Sequence, residues 1–328
     1  METSNFTAKE WFEKGQRIPY NHQENRILSN YEKQPSQGII EVFQLNVNKQ
    51  LTSENWLTML PGFPDGSFGW SKVENQLKDL EMPRMYLDYV GQGDSDKPED
   101  YPYSTIERAN QVEAHWQAQQ IKSTFLVTFD YSSLVAMELL NRQIERVEKG
   151  ENNFTKIHTV LMINGGLFAD AHSHPLMTTP LLKTKFGKMG TRLAQKSHFA
   201  FNMMMKGLWS KQYDVTKQEL NEVFDAITRR NGAVFMSNAA GFVDEHQKNA
   251  KRWDLKRLFL KLGDDVSFHI VGSEKDQFEP KQITKAKERL GEYGVDIRMV
   301  PGGHLTTSEH PDLLTKIILE LNTKTQEL

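Results

Sequence analysis

The chain has 328 residues, 38% apolar and 25% charged, and 43 acidic against 40 basic residues leave a net charge of -3. No basic stripe suits it to nucleic acid, and the absence of cysteine excludes disulfides, Cys-ligated zinc and Cys nucleophiles while fitting a reducing cytoplasm. No apolar stretch reaches the roughly 18 residues of a membrane span, and residues 1–11 are too polar for a signal peptide. The composition reads as a cytoplasmic globular protein, either one large α/β domain with an insertion or two domains.

Residues 1–34 are polar, with Trp11, Phe12 and Tyr20 placed to anchor a leading strand or coil. Residues 39–47 alternate as a half-buried strand, and 56–60 form a short apolar strand. That strand stops at Pro61-Gly62-Phe63-Pro64-Asp65-Gly66, because two prolines and two glycines cannot continue it. A helix over 70–80 and a strand over 84–90 lead to Gly91-Gln92-Gly93-Asp94-Ser95-Asp96-Lys97-Pro98. This Gly-x-Gly lacks the third glycine of a dinucleotide fingerprint and reads as tight loop geometry. A helix over 105–120 follows, with Ile106, Ala109, Val112 and Trp116 at helical spacing.

Residues 123–129 read as a buried strand and 132–140 as a helix with Leu134, Val135, Met137 and Leu140 on its apolar side. Asp130 stands at the joint. A strand, a sharp turn and a helix around one polar side chain make a nucleophile elbow, although Thr128 is larger than the glycine such a turn prefers. Asp in place of the usual Ser implies an ester formed by carboxylate attack; taken alone, Asp130 reads as a turn former or helix cap. A charged linker over 142–153 precedes an apolar strand over 157–163 that ends at Asn164-Gly165-Gly166. Strands alternating with helices predict a mainly parallel sheet covered on both faces, with its active groups at the carboxyl ends of the strands.

From 167 to 261 the pattern is helical, over 177–182, 189–208, 217–230 and 233–253, with no strand between. That predicts an inserted helical cap. The chain then divides into a first core part with an N-terminal extension, 1–166, the cap, 167–261, and a second core part, 262–328. Phe168, Phe199, Met203, Met204, Tyr213 and Trp253 are candidates for an adaptable apolar substrate pocket. The alternative for the Met and Phe cluster is to fill the interface between cap and core. Strands over 267–271 and 295–300 flank a helix over 280–290, and a closing helix over 311–321 buries Leu313, Leu314, Ile317, Ile318 and Leu321.

Asp130, Asp276 and His304 occur in the order nucleophile, acid, base, each just beyond a predicted strand. His304 is suited to activate water near neutral pH, and Asp276 to hold its tautomer, with Glu274 competing for that place. The backbone N–H groups of Phe63 and Tyr131 are candidate oxyanion donors. Ser132 and Ser133 fall in the first helical turn, away from the nucleophile position. His172-x-His174, with His158, is a possible metal pair without a clear acidic partner, and reads better as a surface loop opening the cap. No metal and no organic cofactor are expected.

These residues resemble the α/β-hydrolase superfamily, in particular its haloalkane dehalogenase and epoxide hydrolase branch. Pro61-Gly62-Phe63-Pro64 with Trp70 is similar to the branch's His-Gly-x-Pro loop, Asp130-Tyr131 to its elbow, and Asp88 with Gly91 to Pro98 to a further stretch. Asn164-Gly165-Gly166-x-Phe168, Arg229-Arg230-Asn231-Gly232 and Arg252-Trp253 are similar to its mesoderm-specific transcript protein-like subgroup. The resemblance implies an α/β-hydrolase fold in which Asp130 attacks carbon, His304 activates water for the ester and Asp276 supports His304. Pro61 departs from the family's His, and Phe129, Ser132 and Ser133 from its His, Gly and Gly. Tyr131 and Phe63 offer no indole N–H to a halide, and Tyr213 is the one cap tyrosine where epoxide opening uses a pair. The expected activity is cleavage of a C–O or C–halogen bond in a small apolar substrate, with epoxide chemistry ahead of dehalogenation. Ester or lactone hydrolysis and noncatalytic binding of an apolar ligand are the other readings. A monomer and a homodimer both fit.

Overall fold

Alternation along the strands builds the sheet from both sides, because successive side chains of a strand point to opposite faces. In β4 (Asn55–Leu60), Leu57 and Met59 join one core cluster, Trp56 and Leu60 the other. In β6 (Ser123–Phe129), Phe125, Val127 and Phe129 divide from Leu126 in the same way, and in β7 (Lys156–Ile163) Leu161 and Ile163 divide from Val160 and Met162. Each such fully buried side chain contributes roughly 1.5–3 kcal/mol. The computed structural model describes residues 6–28, 38–51, 53–174 and 179–326.

Among the described residues, nine strands form one sheet in the order β2-β1-β3-β5-β4-β6-β7-β8-β9. The other strands are β1 (Gln16–Asn21), β2 (Arg26–Ile27), β3 (Ile39–Val47), β5 (Arg84–Leu87), β8 (Ser267–Ser273) and β9 (Asp296–Val300). β5, β4, β6, β7, β8 and β9 run parallel, and the β2-β1-β3 edge is antiparallel. On one face lie α1 (Ala8–Lys14), α2 (Ser71–Gln76) and the closing helix α14 (Pro311–Gln326); on the other lie α3 (Thr105–Ala118), α4 (Ser132–Glu148), α11 (Leu255–Leu262) and α12 (Gln282–Leu290). The sequence reading of a mainly parallel sheet covered on both faces is what the structure shows.

Three local differences have physical causes. The leading segment forms α1, closed by a capping box between Thr7 and Glu10, followed by two strands, with Trp11 and Tyr20 fully buried. The charges assigned to a linker continue α4 to Glu148, because Arg142 pairs with Glu138 one turn back and, with Arg146, reaches Glu113 on α3. The helix expected over 189–208 divides into α6 (Lys185–Ala194) and α7 (His198–Met205), because Ser197 caps a new helix by accepting from the Ala200 N–H.

Between β7 and β8 the chain contains α5 (Thr179–Leu182), α6, α7, α8 (Lys217–Thr228), α9 (Ala233–Asn238), α10 (Phe242–Lys248) and α11. By packing, α11 belongs to the core layer: Leu255, Leu258 and Leu262 are buried against α4. The turn after α8 is held over the core loops by two arginines. Arg229 reaches Asp94 at 2.9 Å and lies over the Phe12 ring, and Arg230 pairs with Asp96. No described helix is long and apolar enough to cross a membrane.

Candidate active site

Asp130 follows β6 directly and adopts φ +53, a left-handed conformation that a non-glycine residue holds only when its surroundings enforce it. Its own N–H donates to the Ile163 carbonyl and its carbonyl accepts from Ser133, so the turn is fastened to β7 and to α4. The loop after β4 approaches closely: a Cβ on Gly62 would stand 2.4 Å from the Phe129 ring and 3.2 Å from Asp130 Cβ. The Phe63 N–H thereby reaches Asp130 Oδ2 at 2.9 Å, and the Tyr131 N–H is the second backbone donor to that carboxylate. Gln92 holds the loop by donating to the Gly62 carbonyl at 2.7 Å.

On the other side of the carboxylate, His304 Nε2 lies 3.6 Å from Asp130 Oδ1, while its Nδ1 lies 3.0 Å from Asp276 Oδ1. All three side chains are buried. Glu274 is exposed, so of the two acids in its loop it is Asp276 that meets the imidazole. Burial disfavours a charged His304, but Asp276, with Asp130 beyond it, outweighs this and raises its pKa to about 9. Burial raises Asp130, against the pull of His304 and of the two backbone donors.

Asn164, at the end of β7, is in the sequence no more than part of a strand end. Its amide donates to the His304 carbonyl at 2.8 Å and to Ser273 Oγ at 2.9 Å, and its Oδ1 accepts from the Ser273 N–H. It thus ties together the loops bearing Asp276 and His304. Asp65 was also missed. Its Oδ1 is buried without a partner among the described residues, and it stands within electrostatic reach of both Asp130 and His304. Burial, with the Asp130 charge adding to it, lifts its pKa to about 7 against the pull of His304. A proline- and glycine-rich loop beside the elbow was the available signal; one aspartate in it could not be told from a turn former.

A cavity of about 340 Å³ lies between core and cap, with Asp65, Phe68, Trp209, Tyr213, Ile227 and Leu305 among its lining residues. Asp65 and Leu305 bring it beside the loop after β4 and His304, although Asp130 and His304 do not themselves form its wall. Tyr213 is the one predicted pocket residue on this cavity. Its hydroxyl donates to Glu219 at 2.5 Å and accepts from Lys72 at 2.9 Å.

The other predicted pocket residues lie elsewhere. Phe199 and Met203 are 76% and 68% exposed, because α7 turns Phe201 and Met205 inward at 1% and 3%. Phe168 packs below Arg289 and donates its N–H to Gln282. Trp253 donates to Glu138 on α4 at 2.8 Å, beside the Arg252–Glu138 ion pair. The Met204 side chain lies outside the described residues. The Tyr131 ring points towards Arg108, whose Nε donates to its hydroxyl at 3.1 Å, leaving only the Tyr131 backbone at the Asp130 carboxylate. Ser132 donates to the Pro61 carbonyl, and the Ser133 hydroxyl is buried without a partner.

The Gly91–Pro98 stretch is a structural knot. Asp88 accepts from the Ser67 and Asp94 N–H groups at 2.6 and 2.8 Å, and Lys97 donates to the Gly93 and Ser95 carbonyls. The His172-x-His174 pair is not on a surface loop. His172 is 2% exposed, and the fold brings it an acid, Glu279, 105 residues beyond His174. Burial favours the neutral acid, but hydrogen bonds from both imidazoles outweigh it and hold Glu279 at about 2.

A parallel sheet with a turn residue at φ +53 between β6 and α4, an acid and a histidine at the next strand ends, and helices inserted above them define an α/β-hydrolase architecture. The chain belongs to the alpha/beta hydrolase family, whose model matches residues 59–317. Among its relatives, the mesoderm-specific transcript protein of Mus musculus and its homologue in Homo sapiens are each 29% identical over 202 residues, 60% of this chain and 58% of theirs. The match therefore spans less than two thirds of those relatives' length. Among solved structures, a bromoperoxidase from Bacillus anthracis has a TM-score of 0.67 at 13% identity, covering 94% of this chain and 100% of that one. A thermophilic esterase from Thermogutta terrifontis has 0.63 at 15% identity, covering 94% and 98%. At these identities the structural likeness is one of fold.

Proposed function

We propose that this protein hydrolyses a small apolar substrate, an epoxide in the favoured reading, through an ester on Asp130. The observation that carries the reading is the division of labour between the two carboxylate oxygens. Oδ2 is held by the Phe63 N–H and Oδ1 faces His304 and is free to attack. Attack of Oδ1 on an epoxide carbon forms a C–O bond and breaks the ring C–O bond, and the alkoxide takes a proton from Asp65. Asp65 suits this because burial keeps its carboxyl protonated to about pH 7 and it faces the cavity. Tyr213 is a poorer donor, since its hydroxyl already serves Glu219.

In the second half, His304 Nε2 takes a proton from water, and the hydroxide adds to the Asp130 carbonyl carbon. The oxyanion forms on Oδ2, to which Phe63 already directs its N–H, with the Tyr131 N–H as second donor to the same carboxylate. Collapse expels the ester oxygen as an alkoxide, which takes the hydroxyl proton left on the Asp130 carboxyl and leaves as the diol, and the proton on His304 returns to Asp65. Loss of the Asp130 charge on esterification removes one of the interactions that raise the His304 pKa, which readies the imidazole as a base at that step.

The test is intact-protein mass after exposure of a His304→Ala variant to epoxides, haloalkanes and lactones, beside the same variant carrying Asp130→Asn. An adduct that requires Asp130 supports the ester, and its mass identifies the substrate class. Turnover by the wild type that persists at full rate in Asp130→Asn would reject it.

A further inference from the structure

We propose that His172, His174 and Glu279 form a site for a divalent transition-metal ion of the zinc class, with His246 orienting His172. The residues come from three separate places. His172 and His174 lie on the loop after β7, Glu279 lies three residues beyond Asp276, and His246 lies on α10 of the cap. His172 Nε2 and His174 Nε2 stand 3.0 and 3.1 Å from Glu279 Oε1, and the ligand atoms of the three all lie within 4.8 Å of one another. Two imidazole nitrogens and one carboxylate oxygen are the donor set of open zinc sites, in which solvent takes the remaining tetrahedral position. Magnesium and calcium prefer oxygen alone.

Among the described residues, hydrogen bonding alone leaves this cluster unsatisfied. If both imidazoles donate to Glu279 Oε1, the second oxygen, Oε2, stays buried without a partner among those residues, as does His174 Nδ1. A buried carboxylate oxygen with no donor is costly, and a cation held by both oxygens of Glu279 would answer it. The surroundings also match a metal-bound imidazole. His172 Nδ1 lies 2.9 Å from His246 Nδ1, the outer hydrogen bond that fixes a ligating histidine. Gly166 makes room for the ring: a Cβ there would come within 2.5 Å of it.

An ion at this site would join the loop after β7, the loop bearing Asp276 and the cap. The Phe278 ring lies between the two centres, 5.6 Å from His174 and 4.9 Å from His304. The role is therefore to position the Asp276 loop and the cap.

The experiment is zinc titration of the chelator-stripped full chain against a chromophoric competitor, with cobalt absorption as a second readout. Folding of every variant is checked by its metal-free thermal transition. One equivalent is expected to bind at submicromolar free zinc and to raise Tm. Glu279→Gln and His174→Ala are each expected to weaken it about 100-fold or more, and His246→Ala about 10- to 100-fold. His304→Ala is expected to bind as the wild type does, with the cobalt bands of a four-coordinate nitrogen and oxygen site. Should Glu279→Gln not fold, His174→Ala carries the comparison. No uptake by the folded wild type, unchanged uptake in a folded Glu279→Gln or His174→Ala, or loss of uptake in His304→Ala would overturn the site.

Discussion

His304 Nε2 stands 3.6 Å from Asp130 Oδ1, beyond a direct hydrogen bond and too close for a water to sit in line between them. In the proposed mechanism the hydrolytic water therefore enters beside this axis, towards the Asp130 carbonyl carbon, and the proposed nucleophile stands apart from the group proposed to deliver water.

Asp130→Asn is expected to lower turnover by about 10³-fold or more, since an amide is a poor nucleophile, while the thermal transition stays or rises because a buried charge has been removed. Turnover in oxygen-18 water is the companion measurement: the label should enter the Asp130 carboxylate during a single turnover, and label found only in the product of that first cycle would sink the ester.

The pH dependence of ester breakdown follows from His304. Its neutral form is the base, so the single-turnover decay rate should rise with pH. Its midpoint should lie below about 9, because the ester no longer carries the Asp130 charge. Asp276→Asn removes the principal charge that raises the imidazole and should move the midpoint lower still. A decay rate that falls as pH rises would contradict this.

Asp65 gives a prediction of opposite sign. As the proton donor, it should make ester formation fall as pH rises through about 7, and Asp65→Asn should slow that step about 10²-fold and flatten the profile. Its folded pKa lies above the ordinary 3.8, so the folded state binds the extra proton, and stability drops as pH rises between those values. In urea titrations the Asn variant should gain on the wild type between pH 5 and pH 8, taken as roughly the two ends of that window. Equal pH slopes for the two proteins would count against a buried protonated Asp65.

The Arg84 guanidinium is fully buried and makes a two-bond contact with Glu74, at 2.8 and 2.9 Å, beside the Tyr86 hydroxyl. Glu74→Ala leaves that cation unpaired and should cost about 3–5 kcal/mol in denaturant unfolding. A loss below about 1 kcal/mol would mean that the pair is open to water.

The two faces of α7 should respond differently. Phe199→Ser and Met203→Ser are expected within about 0.5 kcal/mol of the wild type, whereas Phe201→Ala should cost about 3–5 kcal/mol. Comparable losses on both faces would show that the outer residues are covered in solution.

The strands were legible along the chain because burial on one or both faces leaves a local record. Residues 39–47 and 123–129 have the bounds of β3 and β6, and the Pro61–Gly66 loop and the Asp130 joint are written in consecutive residues. The helical block between β7 and β8 was legible for a similar reason, since no β-branched run interrupts it. What sequence could not assign was direction in α7, where Phe199, Phe201, Met203 and Met205 are alike in chemistry and only packing distinguishes inward from outward.

Nor could sequence bring together groups whose meaning depends on distant partners. Asp65 becomes an unusual acid only when the elbow and His304 close over it. Asn164 becomes a clamp only when the ends of β8 and β9 reach it. His172 and His174 resemble a solvated pair until Glu279 arrives from beyond β8 and His246 from the cap. Sequence by itself determined the strand and helix periods and the order of Asp130, Asp276 and His304, because these depend on neighbouring residues and chain order. Tertiary structure alone decided burial, pKa and the partnering of separated side chains, because each depends on what folding brings within a few ångströms and on the water it excludes.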